Sequence, residues 1–127
     1  SAALTLIMAQ RLARRTCLDC RVIDENITPK LLNSIGFLPE QSARAKIYKG
    51  SGCETCGGSG YKGRMGIYEI LEIDNELKAG VLSNLQQTEL NAIAKKNGFR
   101  TMQDMGQDLL LSGDLSFAEY ERVLQSN

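Results

Sequence analysis

The chain has no histidine and no tryptophan in its 127 residues, only two prolines, and no long apolar run. Each absence excludes something. Without histidine there is no neutral-pH general base of the usual kind, and no Cys–His or Ser–His dyad for nucleophilic catalysis. No stretch approaches the ~20 apolar residues that span a bilayer, so no transmembrane segment is expected. The opening Ser1-Ala2-Ala3-Leu4 has neither a starting Met nor a basic region leading a sustained apolar segment. No signal peptide is visible in it, and it reads as the cut edge of a longer protein. Charge of one sign is lacking too. Fifteen basic and fifteen acidic residues give a formal net charge of zero, which argues against nucleic acid as the main partner. At this length the chain makes one domain, or one domain with a small appendage.

What the chain does have is four cysteines, arranged as two C-x2-C pairs, Cys17/Cys20 and Cys53/Cys56, with 32 residues between the pairs. Each pair can supply two corners of a tetrahedron, which is what zinc requires of a closed structural site. Disulfides or redox chemistry are the other use of such pairs. The lack of a secretory signal favours a reducing compartment and zinc. The turn at the second pair has the residues it needs, since Gly57, Gly58 and Gly60 accept positive φ and let the backbone approach the ion. The first pair lacks glycine. Arg21 and Lys62 are positioned in sequence to offset part of the charge of a four-thiolate site. Four protein ligands leave no open position, so the metal is expected to be structural, and the insert to lose its structure without it.

The glycine-rich run also invites comparison with a phosphate-binding loop. Gly58 to Gly63 has the G-x4-G spacing, but Arg64-Met65 stands where Lys-Ser/Thr is required. The run also leads into a strand, where a phosphate loop opens a helix. No other segment supplies a nucleotide cradle, so this chain alone should not hydrolyse ATP.

Along the chain, Leu4 to Arg15 reads as a helix. Leu4, Met8 and Leu12 lie one above another with Ile7 beside them, and Arg14 and Arg15 complement the dipole at the C-terminal end, the alternative being that with Arg11 they form an interface or meet a nucleotide phosphate. In the insert, Thr28-Pro29 reads as an N-cap and first helical position. Glu40 to Arg44 reads as a loop or short helix, and Ala45 to Lys49 as a short strand. Arg64 to Ile73 is the strongest strand, with both faces largely apolar. Glu69 on it is expected to pair with Arg64 or Arg100. Four helices should follow: Asp74 to about Leu85, Thr88 to Lys96, Gln103 to Leu111, and one capped by Ser116 with a complete capping box to Glu119.

Two segments together resemble one family. The first is Ala9-Gln10-Arg11-Leu12 followed by Cys17-x2-Cys20. The second is Gly52-Cys53-x2-Cys56-x-Gly58-x-Gly60-Tyr61-x-Gly63-Arg64-x-Gly66-Ile67-Tyr68-Glu69. They look like the C-terminal part of the type II secretion and type IV pilus assembly ATPases. The tail, Gly98-Phe99-Arg100-Thr101-Met102 through Ser116-Phe117-x2-Tyr120-x-Arg122-Val123, is similar as well. The resemblance implies an α/β, mostly helical piece of a RecA-like ATPase. Residues 1–16 would end the ATPase core, 17–63 would form the zinc-binding subdomain, and 64–127 would form one main strand plus a helical cluster. Cys17, Cys20, Cys53 and Cys56 match the family's zinc ligands.

The resemblance further implies that the parent uses ATP and Mg and works as a cytoplasmic homohexamer. It would lie against the inner membrane through a platform protein, contacting neighbouring subunits and no nucleic acid. The catalytic boxes would lie upstream of Ser1. Two competitors remain. Cys53-x2-Cys56-x-Gly58-x-Gly60 also fits one repeat of DnaJ-type chaperone zinc domains, but Cys17-x2-Cys20-Arg21 lacks the glycines. A stand-alone zinc module for protein or nucleic-acid interaction is the other.

Overall fold

The computed structural model describes residues 4–73, 79 and 99–125. The helices expected over 74–85 and 88–96 lie outside these residues, apart from Ala79, which is helical. The described chain is a mixed α/β structure in which strand weighs as heavily as helix. In order it runs β1 (Leu4–Thr16), β2 (Arg21–Ile23), α1 (Pro29–Ser34), α2 (Pro39–Arg44), β3 (Tyr48–Gly50) and β4 (Tyr61–Ile73). It continues with α3 (Met102–Ser112) and α4 (Phe117–Tyr120), which runs into a π-helical turn, Glu121–Gln125. Two compact units divide it, 1–10 with 67–105 and 11–66 with 106–127.

The first correction to the sequence reading is β1. The i, i+4 spacing of Leu4, Met8 and Leu12 reads as helix, yet the segment is a 13-residue strand paired with β4. The expected single main strand is thus one of two. The physical reason is tertiary. Pairing with a strand as long as itself outweighs the modest helix preference of Leu, Met, Ala and Arg. With no helix there, Arg14 and Arg15 complement no dipole. Apolar residues stand exposed along β1, with Ile7 63%, Met8 55% and Leu12 54% accessible.

In the first unit, β4 carries the buried Ile67. Ile70 forms an antiparallel bridge to Arg100, each amide donating to the other's carbonyl at 2.9 Å. Thr101 and Asp104 then start α3 with a reciprocal cap. Asp104 N–H donates to Thr101 Oγ1 and Thr101 N–H to Asp104 Oδ2, each at 3.0 Å, so two orphan amides are satisfied. Arg100 therefore meets β4 through its backbone. Glu69 is half-buried and makes no ion pair among the described residues, so neither Arg64 nor Arg100 partners it as expected.

The second unit holds the insert and the C-terminal helices. Thr28 Oγ1 caps α1 by accepting Leu31 N–H at 3.2 Å, with Pro29 in the first turn, as the sequence indicates. Residues Glu40 to Arg44 are helical, packed on α1. Strand β3 pairs antiparallel with β2 in the register Arg21↔Gly50, Val22↔Lys49, Ile23↔Tyr48, so it starts three residues later than expected and reaches Gly50. Gln107 of α3 donates to the Ile35 carbonyl at 2.9 Å, tying α3 to the end of α1. Leu110, Leu115, Phe117, Tyr120, Val123 and Leu124 are buried, each contributing about 1.5–3 kcal/mol through lost apolar exposure. Gly106 marks where α3 meets the final helix. A Cβ there would lie 2.5 Å from Leu124 Cδ1 and 2.9 Å from the Tyr120 ring.

Candidate metal centre

Two strand ends and two strand starts build the site. Strand β1 ends at Thr16 and delivers Cys17, which is 1% exposed, and the turn through Cys20 hands the chain to β2. Strand β3 ends at Gly50, the turn Cys53–Cys56 follows, and Gly60 leads into β4. Each C-x2-C therefore joins one strand to another, and backbone bonds lock the two turns together. Cys17 N–H donates to Gly60 O at 2.9 Å, and Ser51 N–H to Cys20 O at 3.1 Å. The Ser51 hydroxyl also donates to Cys20 O, at 2.8 Å.

The four Sγ atoms lie within 4.8 Å of one another. Three edges, Cys17–Cys53, Cys20–Cys56 and Cys53–Cys56, are each 3.8 Å. A tetrahedron with Zn–S bonds of ~2.3 Å has edges of about 3.8 Å, so the sulfur cage has the dimensions of a zinc site. A disulfide would bring two of them to ~2.05 Å, and all four cysteines are free.

Backbone amides surround the sulfurs. Gly52 N–H points at Cys20 Sγ, and those of Cys53 and Gly60 at Cys56 Sγ, each at 3.2 Å. Such donors favour the thiolate. The two ends of the cage differ accordingly. Burial pushes the Cys17 thiol up to about 11, against hydrogen bonds from the Asp19 and Cys20 backbone that lower it. At Cys56 burial also raises the value, but the Cys53 and Gly60 amides and the neighbouring thiols outweigh it and hold it at about 6. A bound cation would favour the deprotonated sulfur, because the thiolate and not the thiol is the ligand.

The glycines behave as the spacing indicates. Gly57, Gly58 and Gly60 have φ of 65°, 85° and 82°. Gly50 and Gly60 are needed for a second reason, since a Cβ on Gly50 would sit 2.0 Å from Gly60 O. The two loops cross backbone to backbone. The run does open strand β4 and no helix, so it lacks the helix N-terminus of a phosphate loop. Arg21 does not serve the thiolates as expected. Its guanidinium lies 5.0 Å over the Tyr48 ring and donates to Ser112 O at 3.4 Å. Lys62 lines a small cleft of about 180 Å³ beside Cys17, with Arg15, Leu18, Asp19 and Thr55.

The residue that sequence reasoning missed is Glu119. Ser116 caps α4 as expected, its Oγ accepting Glu119 N–H at 3.1 Å. The box is not closed, because the Glu119 carboxylate turns inward. It is fully buried and accepts from Arg14 N–H at 2.7 Å, from Arg14 Nη2 at 2.8 Å, and from Arg122 Nε and Nη2 at 2.6 and 2.7 Å. Desolvation raises its pKa, but the two guanidiniums and the amide prevail and hold it at about 2. Arg14 in turn lies 4.2 Å over the Tyr61 ring. The signal in the sequence was a carboxylate between Phe117 and Tyr120 on an apolar helix, with Arg14 assigned to a helix dipole that β1 does not have.

Similarity to known proteins extends over most of the chain. Residues 1–122 match the family described as type II/IV secretion system protein. A type IV pilus assembly ATPase, PilB of Thermus thermophilus, is 38% identical over 119 residues, 94% of this chain and 13% of that protein. The type IV pilus assembly ATPase TfpB of Acinetobacter baylyi is 37% identical over 128 residues, 98% of this chain and 21% of that protein. The type II secretion system protein E of Aeromonas hydrophila is 30% identical over 127 residues, 100% of this chain and 25% of that protein. The chain thus spans between 13% and 25% of the length of these relatives. With a match over 122 of its 127 residues, the chain belongs to the type II/IV secretion system protein family.

Proposed function

We propose that this chain is the C-terminal, zinc-binding part of an ATPase that powers type II secretion or type IV pilus assembly. The observation that carries the reading is the family match over residues 1–122, joined to a four-sulfur cage of zinc dimensions. Cys17, Cys20, Cys53 and Cys56 hold the ion. When bound, it supplies geometry and no open coordination position, so its role is structural. ATP and Mg are bound by the parent outside this chain, which is expected to be inactive alone.

The parent is read as a RecA-like, cytoplasmic homohexamer that meets the inner-membrane platform through partners. Residues 1–16 extend its core, 17–63 form a rigid arm, and 64–127 pack on the core or a neighbouring subunit to transmit nucleotide-driven motion. The exposed Ile7, Met8 and Leu12 of β1 support this, because apolar residues on a strand of this length are what a larger assembly covers. Among the described residues no helix is long and apolar enough to cross a membrane.

Two measurements test the proposal. Metal analysis of the purified chain should return one zinc per chain, and a value of none refutes the metal assignment. Replacing Cys53 and Cys56 by Ser in the full-length parent should abolish assembly. If assembly and ATPase activity persist with zinc gone, the arm is dispensable and the mechanical role is wrong.

A further inference from the structure

The end of β1 is fastened to the C-terminal segment at four points that run in opposite directions along the two stretches. Arg11 donates to the Val123 carbonyl, and Arg14 binds Glu119 through amide and guanidinium. Arg15 Nε lies 4.0 Å from Asp114 Oδ1, and Thr16 N–H donates to Asp114 O at 2.9 Å. The next residue is Cys17. Two of these contacts fix the peptide itself and not a flexible side chain, Thr16 N–H to Asp114 O and Arg14 N–H to Glu119 Oε2. Only the second has a buried carboxylate as the acceptor of a strand's backbone donor. The contact lies three residues before the first thiol.

The two halves of the sulfur cage differ in what steadies them. The second pair sits in a glycine turn whose own amides hold Cys56. The first pair has no glycine, and Cys17 is the most buried of the four thiols. Amides of its turn also reach its sulfur, and its own N–H is held by Gly60 O. The chain before it is strand β1, however, whose course adds to the direction from which Cys17 enters.

We propose that Glu119 is a positioning residue of the metal centre: by holding the Arg14 backbone it sets the course on which β1 delivers Cys17. Metal affinity then depends on a carboxylate that touches no thiol. This inference rests on the metal reading given above. The competing account is that Glu119 only stitches α4 to β1. That account has Glu119 removal lowering fold stability while leaving the metal's affinity for the folded chain unchanged. Partners outside the ligand set that orient metal-binding side chains are a general feature of such centres.

The test uses the reduced 127-residue chain and Co²⁺, whose thiolate absorption reports binding, followed by displacement with Zn²⁺. Glu119→Leu, which offers the Arg14 amide no acceptor, is expected to weaken Co²⁺ binding about 10-fold, while Arg122→Ala, which leaves both Arg14 contacts in place, stays within about twofold of the unchanged chain. Binding by Glu119→Leu at the unchanged affinity overturns the proposal. Equal weakening by Arg122→Ala overturns it as well, because the effect would then belong to the ion pairs and not to the amide. Should Glu119→Leu fail to fold, Glu119→Asp keeps the charge but draws the carboxylate back by one methylene, and it is read in the same way. A chain that binds no metal at all refutes the metal assignment instead, so the two failures are told apart.

Discussion

Gly50→Ala is the perturbation whose outcome the structure fixes most firmly. The added Cβ would lie 2.0 Å from Gly60 O, 2.5 Å from Gly60 Cα and 2.6 Å from Gly60 C. Carbon atoms sit comfortably at ~3.5–4.0 Å, so the two loops must separate by on the order of 1 Å. All three neighbours are backbone, and no side chain can swing aside. Gly60 O is also the acceptor for Cys17 N–H, so separation strains the bond that joins the two cysteine turns. Overpacking costs ~1–3 kcal/mol and a weakened backbone hydrogen bond about 1 kcal/mol more.

The sum, about 3 kcal/mol, is a large share of the ~5–15 kcal/mol that holds a domain together. Urea denaturation of the zinc-loaded chain should show the loss in its midpoint, and chelator competition should show weaker zinc. Gly58→Ala is the control, since a Cβ there meets nothing within 4 Å. Only its left-handed φ of 85° resists, worth ~1–2 kcal/mol. If Gly50→Ala matches the unchanged chain in midpoint and zinc affinity, or does less harm than Gly58→Ala, the argument from the crossing is wrong.

Two further outcomes follow from the same packing. Gly106→Ala gains about 1 kcal/mol of helix propensity, but its Cβ meets the Tyr120 ring at 2.9 and 3.1 Å. That ring is fully buried and stacked on Phe117 at 6.1 Å, so a net loss of ~1–2 kcal/mol is expected by thermal denaturation; an unchanged or raised midpoint would refute it. Chelation of zinc should remove hydrogen-exchange protection from the β2–β3 amides, where Asp24 N–H donates to Ile47 O at 2.8 Å, because metal binding and folding are linked. Protection that survives chelation counts against the insert's dependence on the ion.

The cysteine cluster was legible because its information is local. Two C-x2-C pairs and the glycines after the second one mark the four thiols and the turn without reference to anything distant. The cap at Thr28-Pro29 and the strand leading to Ile73 were legible for the same reason. Strand β1 was not, since its fate depends on a partner some sixty residues away, and Leu4, Met8 and Leu12 happen to satisfy helical spacing. Glu119 failed in the same way. Read locally it completes a capping box with Ser116, but Arg14, distant in sequence, competes for its carboxylate and wins because a buried charge needs a cation.

The separation between bonded partners has a consequence for the order of assembly. Cys17 and Cys53 are 36 residues apart along the chain, whereas Arg14 and Glu119 are 105 apart. Loop-closure entropy makes the longer closure about 1 kcal/mol less favourable, and residue 119 also leaves the ribosome after both cysteine pairs. The short loop, which brings the two cysteine pairs together, is therefore the easier one to close. Glu119 comes last, and by taking the Arg14 amide it fixes the end of β1 after the cysteine turns have met.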